Sequence, residues 1–312
     1  PAFASLLAIN IYHLWKAINE PAEFTIVEIG AGNGYLYREI ISFYKKNIPS
    51  FLNVVTYYPV DVFSDKSKDI YDIKEIPKGI TGCIISNELI DAFPVNRFIF
   101  KDKKIKEIYV DYDYKNNTFI DKINHVSEPE IASRVSPFTK NFDDGYKGEV
   151  NLGIGYWADI ISSIINSGFV ITIDYGYERD ELYSSKNNRG SLRSYFQHSL
   201  SSNHYSNIGR QDITSHVDFT TVNHSLAVNG FDKLFYITQK KFLEYLGLEF
   251  FIRELNQSYK NNEISNNSFN KQIYAINLLV DKNGLGNFHV SIHSKNISKD
   301  QKNIVKNQHI AY

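Results

Sequence analysis

Apolar positions along the chain fall into two periods. Phe3, Leu6, Leu7, Ile9, Leu14 and Ile18 recur at helical spacing and Pro21 stops the pattern, which predicts a helix over 3–18. Thr25-Ile26-Val27-Glu28-Ile29 is a short apolar run ended by glycines and reads as a buried strand. Residues 35–46 then read as a helix and 52–60 as a second strand. Cys83-Ile84-Ile85 is another apolar run, ahead of a polar cluster at Ser86–Asp91. Residues 98–123 alternate around Lys115-Asn116-Asn117, a hairpin pattern. Spacing over 153–166 is helical, 168–174 is a further buried strand ending in an acid, and 290–293 reads as a closing strand.

Short buried strands alternating with helices predict an α/β fold, a doubly wound and mostly parallel sheet with ligands at the carboxyl ends of its strands. Two stretches break the rhythm, the polar 178–215 and the helical 239–276. The expected organisation is a core over 1–177 and 216–295, with an inserted hairpin at 98–123 and an inserted helical segment at 239–276. Residues 178–215 are expected to form a lid or substrate segment, and 296–312 a polar tail that frays.

Composition narrows the classes. Hydrophobic residues are 43% and charged residues 22% of the 312, enough for a packed core and against wholesale disorder. Lys plus Arg is 34 against 35 Asp plus Glu, without the basic excess of a general nucleic-acid binder. No apolar run approaches the ~20 residues of a membrane-spanning helix, and no signal peptide or basic presequence is read at the start. The single Cys83 excludes an internal disulfide and points to a reducing compartment. The expected location is cytoplasmic, or the mitochondrial matrix in a eukaryote. The chain begins at Pro1 and contains no Met, so a preceding segment and missing methionines are expected; intact mass tests the latter.

The most informative local motif is Glu28-Ile29-Gly30-Ala31-Gly32-Asn33-Gly34, with a strand running in and a helix running out. Its Gly-x-Gly-x-Gly spacing differs from the Gly-x-Gly-x-x-Gly of dinucleotide folds, and it lacks the Lys-Ser/Thr pair of a triphosphate loop. An acid ahead of the glycines suits a ligand with an ammonium group, such as S-adenosylmethionine, better than a pyrophosphate. Alone, the loop reads equally as a tight strand-to-helix turn. Tyr58-Pro59-Val60-Asp61 ends the next strand, where a carboxylate accepts from both ribose hydroxyls or is simply solvated. Together the two features favour a nucleoside-containing cofactor. In Ser86–Val95, Asn87, Glu88 and Asp91 face a ligand from a strand end, or serve as acids at a helix N-terminus.

Later strings add context: Asp174-Tyr175-Gly176-Tyr177, then Gly190-Ser191-Leu192-Arg193-Ser194-Tyr195-Phe196-Gln197-His198, then Gly209-Arg210-Gln211-Asp212-Ile213-Thr214-Ser215-His216-Val217-Asp218-Phe219. With Asn87-Glu88-Leu89-Ile90-Asp91-Ala92-Phe93-Pro94-Val95, this series resembles the MidA-like methyltransferases from about Pro1 to Lys295. That family includes the mitochondrial complex I assembly arginine methyltransferase. The resemblance implies a class I methyltransferase fold with inserted segments over the site, S-adenosylmethionine as cofactor, and an arginine acceptor in the eukaryotic member. Two departures stand out. The family continues its second strand into Glu-x-Ser-Pro and a Leu-Arg pair, where this chain has Val60-Asp61-Val62-Phe63-Ser64. It also carries a segment ahead of the position of Pro1.

Methyl transfer from a sulfonium is an in-line displacement, so the acceptor must sit ~3 Å from the methyl carbon and present a lone pair. Acids suit a guanidinium, and Glu88, Asp91, Asp174 and Asp212 are available. A histidine suits a hydroxyl, and His198 and His216 lie in the family-like strings; each is equally read as a structural hydrogen-bonding residue. The expected cofactor set is Glu28, Gly30, Ala31, Gly32, Asn33, Gly34, Asp61 and Asn87. The catalytic candidates are Glu88, Asp91, His216 and Asp174. Arg193, His198, Asp212 and Asp218 are expected on the substrate side, with Arg193 more readily paired to Asp212 than to an anionic group. An iron site at His216-x-Asp218 lacks a defined third ligand, and no metal is expected. The acceptor is expected to be a protein side chain. A small-molecule or carrier-bound acceptor for O- or C-methylation, and a non-catalytic assembly factor, are the alternatives.

Overall fold

The computed structural model describes residues 2–63, 69–197, 199–201 and 203–307. The chain runs α1 (Ala2–Ala17), β1 (Phe24–Ile29), α2 (Tyr35–Asn47), β2 (Val55–Val60) and β3 (Ile80–Asn87). It continues through β4 (Asn96–Lys101), β5 (Lys104–Asp113), β6 (Thr118–Asn124), α3 (Pro129–Val135), β7 (Lys147–Val150), α4 (Gly153–Ile164) and β8 (Ile165–Asp174). Next come β9 (Gly176–Tyr177), α5 (Arg179–Leu182), β10 (Arg193–Phe196), β11 (Ser199–Ser201), β12 (Asp212–Thr214), β13 (Val217–Asp218) and α6 (Phe219–Val228). The last elements are β14 (Asp232–Thr238), α7 (Gln239–Tyr245), α8 (Leu248–Lys260), α9 (Asn266–Val280), β15 (His289–Lys295) and α10 (Lys299–Asn307).

Contacts divide the chain into two compact units. The first comprises Pro1–Asn87, Asp159–Asp174 and Leu226–Tyr312. Its six-stranded sheet has the order β14-β15-β8-β3-β1-β2. The pairs β1–β2, β1–β3 and β3–β8 are parallel, and β15 is antiparallel to both β8 and β14. Five strands therefore run one way and β15 alone is reversed. The central strands are buried on both faces, with Ile84, Ile85, Val170, Ile171 and Ile173 wholly inaccessible, and so they read in sequence as continuous apolar runs. Leu6, Leu7, Ile11 and Leu14 of α1 and Ile40 and Tyr44 of α2 join the same core. Tyr44 carries its hydroxyl inside by donating to the Ala8 carbonyl at 2.9 Å.

Several expected elements shift. The second strand begins at Val55 because Pro49 opens a short 3₁₀ turn over Pro49–Asn53. The helical stretch after Thr238 breaks into three helices, interrupted by Gly247 at φ +86° and Asn262 at φ +60°. The polar tail does not fray directly after Lys295. Residues Lys299–Asn307 form α10, whose Val305 is buried and whose Val305 carbonyl accepts from Tyr245 Oη at 3.1 Å.

The second unit comprises Glu88–Ala158 and Tyr175–Ser225. It holds a four-stranded antiparallel sheet ordered β6-β5-β4-β7, with Lys115-Asn116-Asn117 in the turn between β5 and β6. It also holds a small sheet β11-β10-β12 and the β13–β9 pair. Its core is aromatic: Phe98, Phe142, Tyr146 and Tyr183 pack with Ile131 and Val135.

Candidate functional site

The first unit forms its loop at the carboxyl end of β1. Gly30, Gly32 and Gly34 adopt φ of +81°, +54° and +73°, left-handed values that only glycine takes without strain. Gly30 and Ala31 donate their N–H groups to the Val60 carbonyl at 2.9 and 3.0 Å, tying the loop to the end of β2. Asp61 completes the tie, its Oδ2 accepting from Gly32 N at 2.9 Å and its Oδ1 from Phe63 N at 3.1 Å. Asn33 Oδ1 accepts from Tyr35 N at 3.0 Å and starts α2. A Cβ added at Gly32 would meet no atom within 4 Å. The loop is thus open at Gly32, where the glycine serves the backbone shape, whereas a Cβ at Gly34 would meet Arg38 Nη1 at 3.1 Å. Val62 and Phe63, 88% and 85% exposed, follow directly after Asp61.

Glu28 points elsewhere. It is 4% exposed, and Tyr57 Oη donates to its Oε2 at 2.9 Å. Burial pushes its carboxyl up to about 7, against the lowering effect of hydrogen bonds from Tyr57 and the Tyr37 backbone. The carboxyl is thus held inside, on Tyr57. Asn87 ends β3 opposite Ile173, half-buried, and Asp174 ends β8 opposite His289, wholly buried.

The remaining candidates lie in the second unit. Glu88 is exposed and adopts φ +50°, a strained left-handed conformation for a residue with a Cβ, directly after the β3 strand end. Asp91 is 4% exposed and accepts from Tyr175 Oη at 2.7 Å. Burial raises its pKa and the Asp212 charge adds to the rise, while the Tyr175 bond opposes it. His216 stands edge-on to the rings of Tyr175 and Tyr177, at centroid distances of 5.8 and 5.2 Å. Its Nδ1 is buried and finds no hydrogen-bond partner among the described residues. Burial, and then the Arg193 charge, hold its pKa below the ordinary value, so the ring is neutral at neutral pH. Its backbone N–H donates to Ser191 Oγ at 3.0 Å, and Ser191 donates N–H and Oγ–H to Glu149 Oε2 at 2.7 and 2.9 Å.

Two substrate-side expectations change. Arg193 does not pair with Asp212: the β10–β12 register sets it across from Thr214, and its Nη1 donates to the carbonyls of Leu192 at 2.8 Å and Gly190 at 3.4 Å. Asp218, 6% exposed, is committed to structural bonds rather than offered to a substrate. Its Oδ1 accepts from Thr221 N at 3.0 Å, capping α6, and its Oδ2 accepts from Arg179 Nε at 3.0 Å and Thr221 Oγ1 at 2.6 Å. His198 lies outside the described residues. Asp212 is exposed. Tyr175, Gln211 and Thr214, which stand in the quoted strings, and Glu149 and His204, which carry no sequence signal, were not anticipated as site residues. Gln211, Thr214 and His204 line a cavity of about 460 Å³ in this unit.

A mostly parallel sheet whose first strand opens into a glycine loop tied by an acid after the second strand defines a Rossmann-like, class I methyltransferase fold. A model of a family of S-adenosyl-L-methionine-dependent methyltransferases matches residues 6–237, and the chain belongs to that family. The Drosophila melanogaster protein arginine methyltransferase NDUFAF7 homolog, mitochondrial, is 21% identical over 266 residues, 73% of this chain and 58% of that protein. The Rattus norvegicus protein arginine methyltransferase NDUFAF7, mitochondrial, is 23% identical over 284 residues, 79% of this chain and 62% of that protein. The chain spans about three fifths of the length of these relatives. A Burkholderia thailandensis protein crystallised with S-adenosyl-homocysteine has the same fold at a TM-score of 0.84 and 23% identity, covering 96% of this chain and 79% of that one. A native crystal structure from the same organism gives 0.84 and 22%, covering 99% and 82%. Among the described residues no helix is long and apolar enough to cross a membrane, and no cluster of three or more His, Cys, Asp or Glu is placed to hold a metal.

Proposed function

We propose that this chain transfers a methyl group from S-adenosylmethionine to an arginine side chain of a protein. The observation that carries the cofactor half is the glycine loop, with an open face at Gly32 and the Asp61 carboxylate against its N–H. These residues fit the group: a nucleoside needs a close backbone approach and a carboxylate for its ribose hydroxyls. When bound, the cofactor supplies an electrophilic methyl on a sulfonium. Asp61 holds the ribose, Gly30–Gly34 shape the seat, and Asn87 offers an amide at the end of β3. Glu28 stiffens the loop from below.

The acceptor half is supported by the acids and by the relatives' names as protein arginine methyltransferases. Glu88 and Asp91, both in the second unit, supply carboxylates that suit a cation, and a carboxylate beside a guanidinium both orients it and takes its proton. The second reading is a hydroxyl acceptor on a small molecule. His216 favours it, being neutral and carrying an unpartnered Nδ1 able to accept a proton.

Calorimetry with S-adenosylhomocysteine tests the first half. Gly32→Ala, which places a methyl on the open face, is expected to weaken binding at least tenfold, about 1.4 kcal/mol. Undiminished affinity would remove the loop from the cofactor site. Labelled cofactor added to lysate tests the second half. Label in protein, recovered as methylarginine after hydrolysis, supports the first reading, and label in the small-molecule fraction supports the second.

A further inference from the structure

The backbone amides of the glycine loop are spent on the protein itself. Gly30 and Ala31 donate to the Val60 carbonyl, Gly32 to Asp61 Oδ2, Gly34 to the Ala31 carbonyl at 2.8 Å, and Tyr35 to Asn33 Oδ1. Phosphate loops hold their anions with N–H groups of this kind. Here those donors are committed, so an anionic group of a ligand at this loop needs another one. The motif's own acid is committed as well, since Glu28 is buried and accepts from Tyr57.

Arg38, one turn into α2, supplies that donor. Its side chain folds back onto the loop, where Nη1 donates to the Asn33 carbonyl at 2.8 Å and would stand 3.1 Å from a Cβ at Gly34. Gly34 is buried, whereas Gly32, two residues earlier, is exposed and open. Two residues span at most about 7 Å, so the guanidinium is fixed close to the loop's opening. Among the described residues no acid forms an ion pair with Arg38, and its side chain is exposed. The planar fork therefore keeps N–H donors beyond the one that Asn33 takes, in the geometry that matches a carboxylate. Its bond to Asn33 orders the side chain before any ligand arrives, which lowers the cost of binding.

We infer that Arg38 is a cofactor-positioning residue, whose guanidinium binds the carboxylate at the amino-acid end of S-adenosylmethionine. The inference rests on the proposed seat of the cofactor at the glycine loop. That cofactor has no phosphate, and its carboxylate is its one anionic group, so an unpaired cation beside the loop has a single group of the ligand to meet. Recognition of the amino-acid end thereby passes from the acid before the glycines to the cation after them. The seat then selects for nucleosides that carry the carboxylate and against those that carry only the amine.

The test is calorimetry with two ligands, S-adenosylhomocysteine and its decarboxylated counterpart, which keeps the nucleoside, the thioether and the amine. The wild type is expected to bind the first at least tenfold more tightly. Arg38→Gln is expected to weaken S-adenosylhomocysteine about tenfold and to leave the decarboxylated ligand within about twofold. Arg38→Lys, which keeps the charge and loses the fork, should fall between the wild type and Arg38→Gln. Retained affinity for the decarboxylated ligand shows that the loop of the variant is intact. Equal weakening of both ligands in Arg38→Gln would make Arg38 a support of the loop and overturn the assignment, as would undiminished binding of S-adenosylhomocysteine. A wild type that binds neither ligand would instead remove the cofactor seat itself, an outcome that no variant is needed to see.

Discussion

Glu28 and Glu88 show two ways a single residue can be held away from its preferred state. Burial raises the Glu28 carboxyl to about 7 from an ordinary 4.5. The folded state therefore holds a proton that the unfolded state has released, and stability falls as pH rises from about 4.5 to about 7. The span corresponds to about 2–4 kcal/mol. Glu28→Gln, which stays neutral, should gain on the wild type progressively from pH 5 to pH 8 in denaturant titrations. A stability difference that does not change with pH would mean the carboxyl is charged in the fold. Glu88 stores its strain in the backbone instead, at φ +50°. Glu88→Gly should raise stability by about 0.5–1 kcal/mol and, if the proposed role of its carboxylate holds, lower turnover at least tenfold. A Gly variant with full turnover would leave Glu88 a structural role only.

At the scale of elements, the fate of Asp218 is decided by α6. An aspartate one residue before a helix is an N-cap by chemistry, and the Arg179 ion pair then commits its second oxygen. Asp218→Ala should cost about 3 kcal/mol by leaving Arg179 without its partner and α6 uncapped, with S-adenosylhomocysteine affinity retained. A large loss of turnover at unchanged stability would return Asp218 to the substrate side. The same scale separates what was legible in the sequence. β1, β3 and β8 are buried on both faces, so their apolar runs marked them, and the glycines after β1 marked the loop. β6, all seven of whose residues are exposed, was marked by the hairpin pattern around Lys115-Asn116-Asn117 rather than by burial, and β7 escapes because it is four residues long. Tyr57, 29 positions from Glu28, and Tyr175, 84 positions from Asp91, are brought to those acids only by the fold. Arg193 and Asp212 looked like partners by charge, but strand register, which no charge pattern reveals, sets Arg193 against Thr214.

For the whole molecule, the chain crosses from the first unit to the second at Asn87–Glu88 and at Asp174–Tyr175, directly after β3 and β8. Each crossing follows a strand end, where α/β folds carry their ligands, so the insertions begin where chemistry is expected rather than at arbitrary loops. The proposed division gives the first unit the nucleoside seat. That division predicts a pattern in hydrogen exchange. Saturating S-adenosylhomocysteine stabilises whatever binds it, by about 2.7 kcal/mol at a hundredfold excess over Kd. Protection should concentrate in peptides over 30–37 and 58–63, where the glycine loop and Asp61 lie, and the amides of β4–β7 should exchange as before. Cofactor protection falling mainly on β4–β7 would place the nucleoside in the second unit and overturn the assignment of the glycine loop.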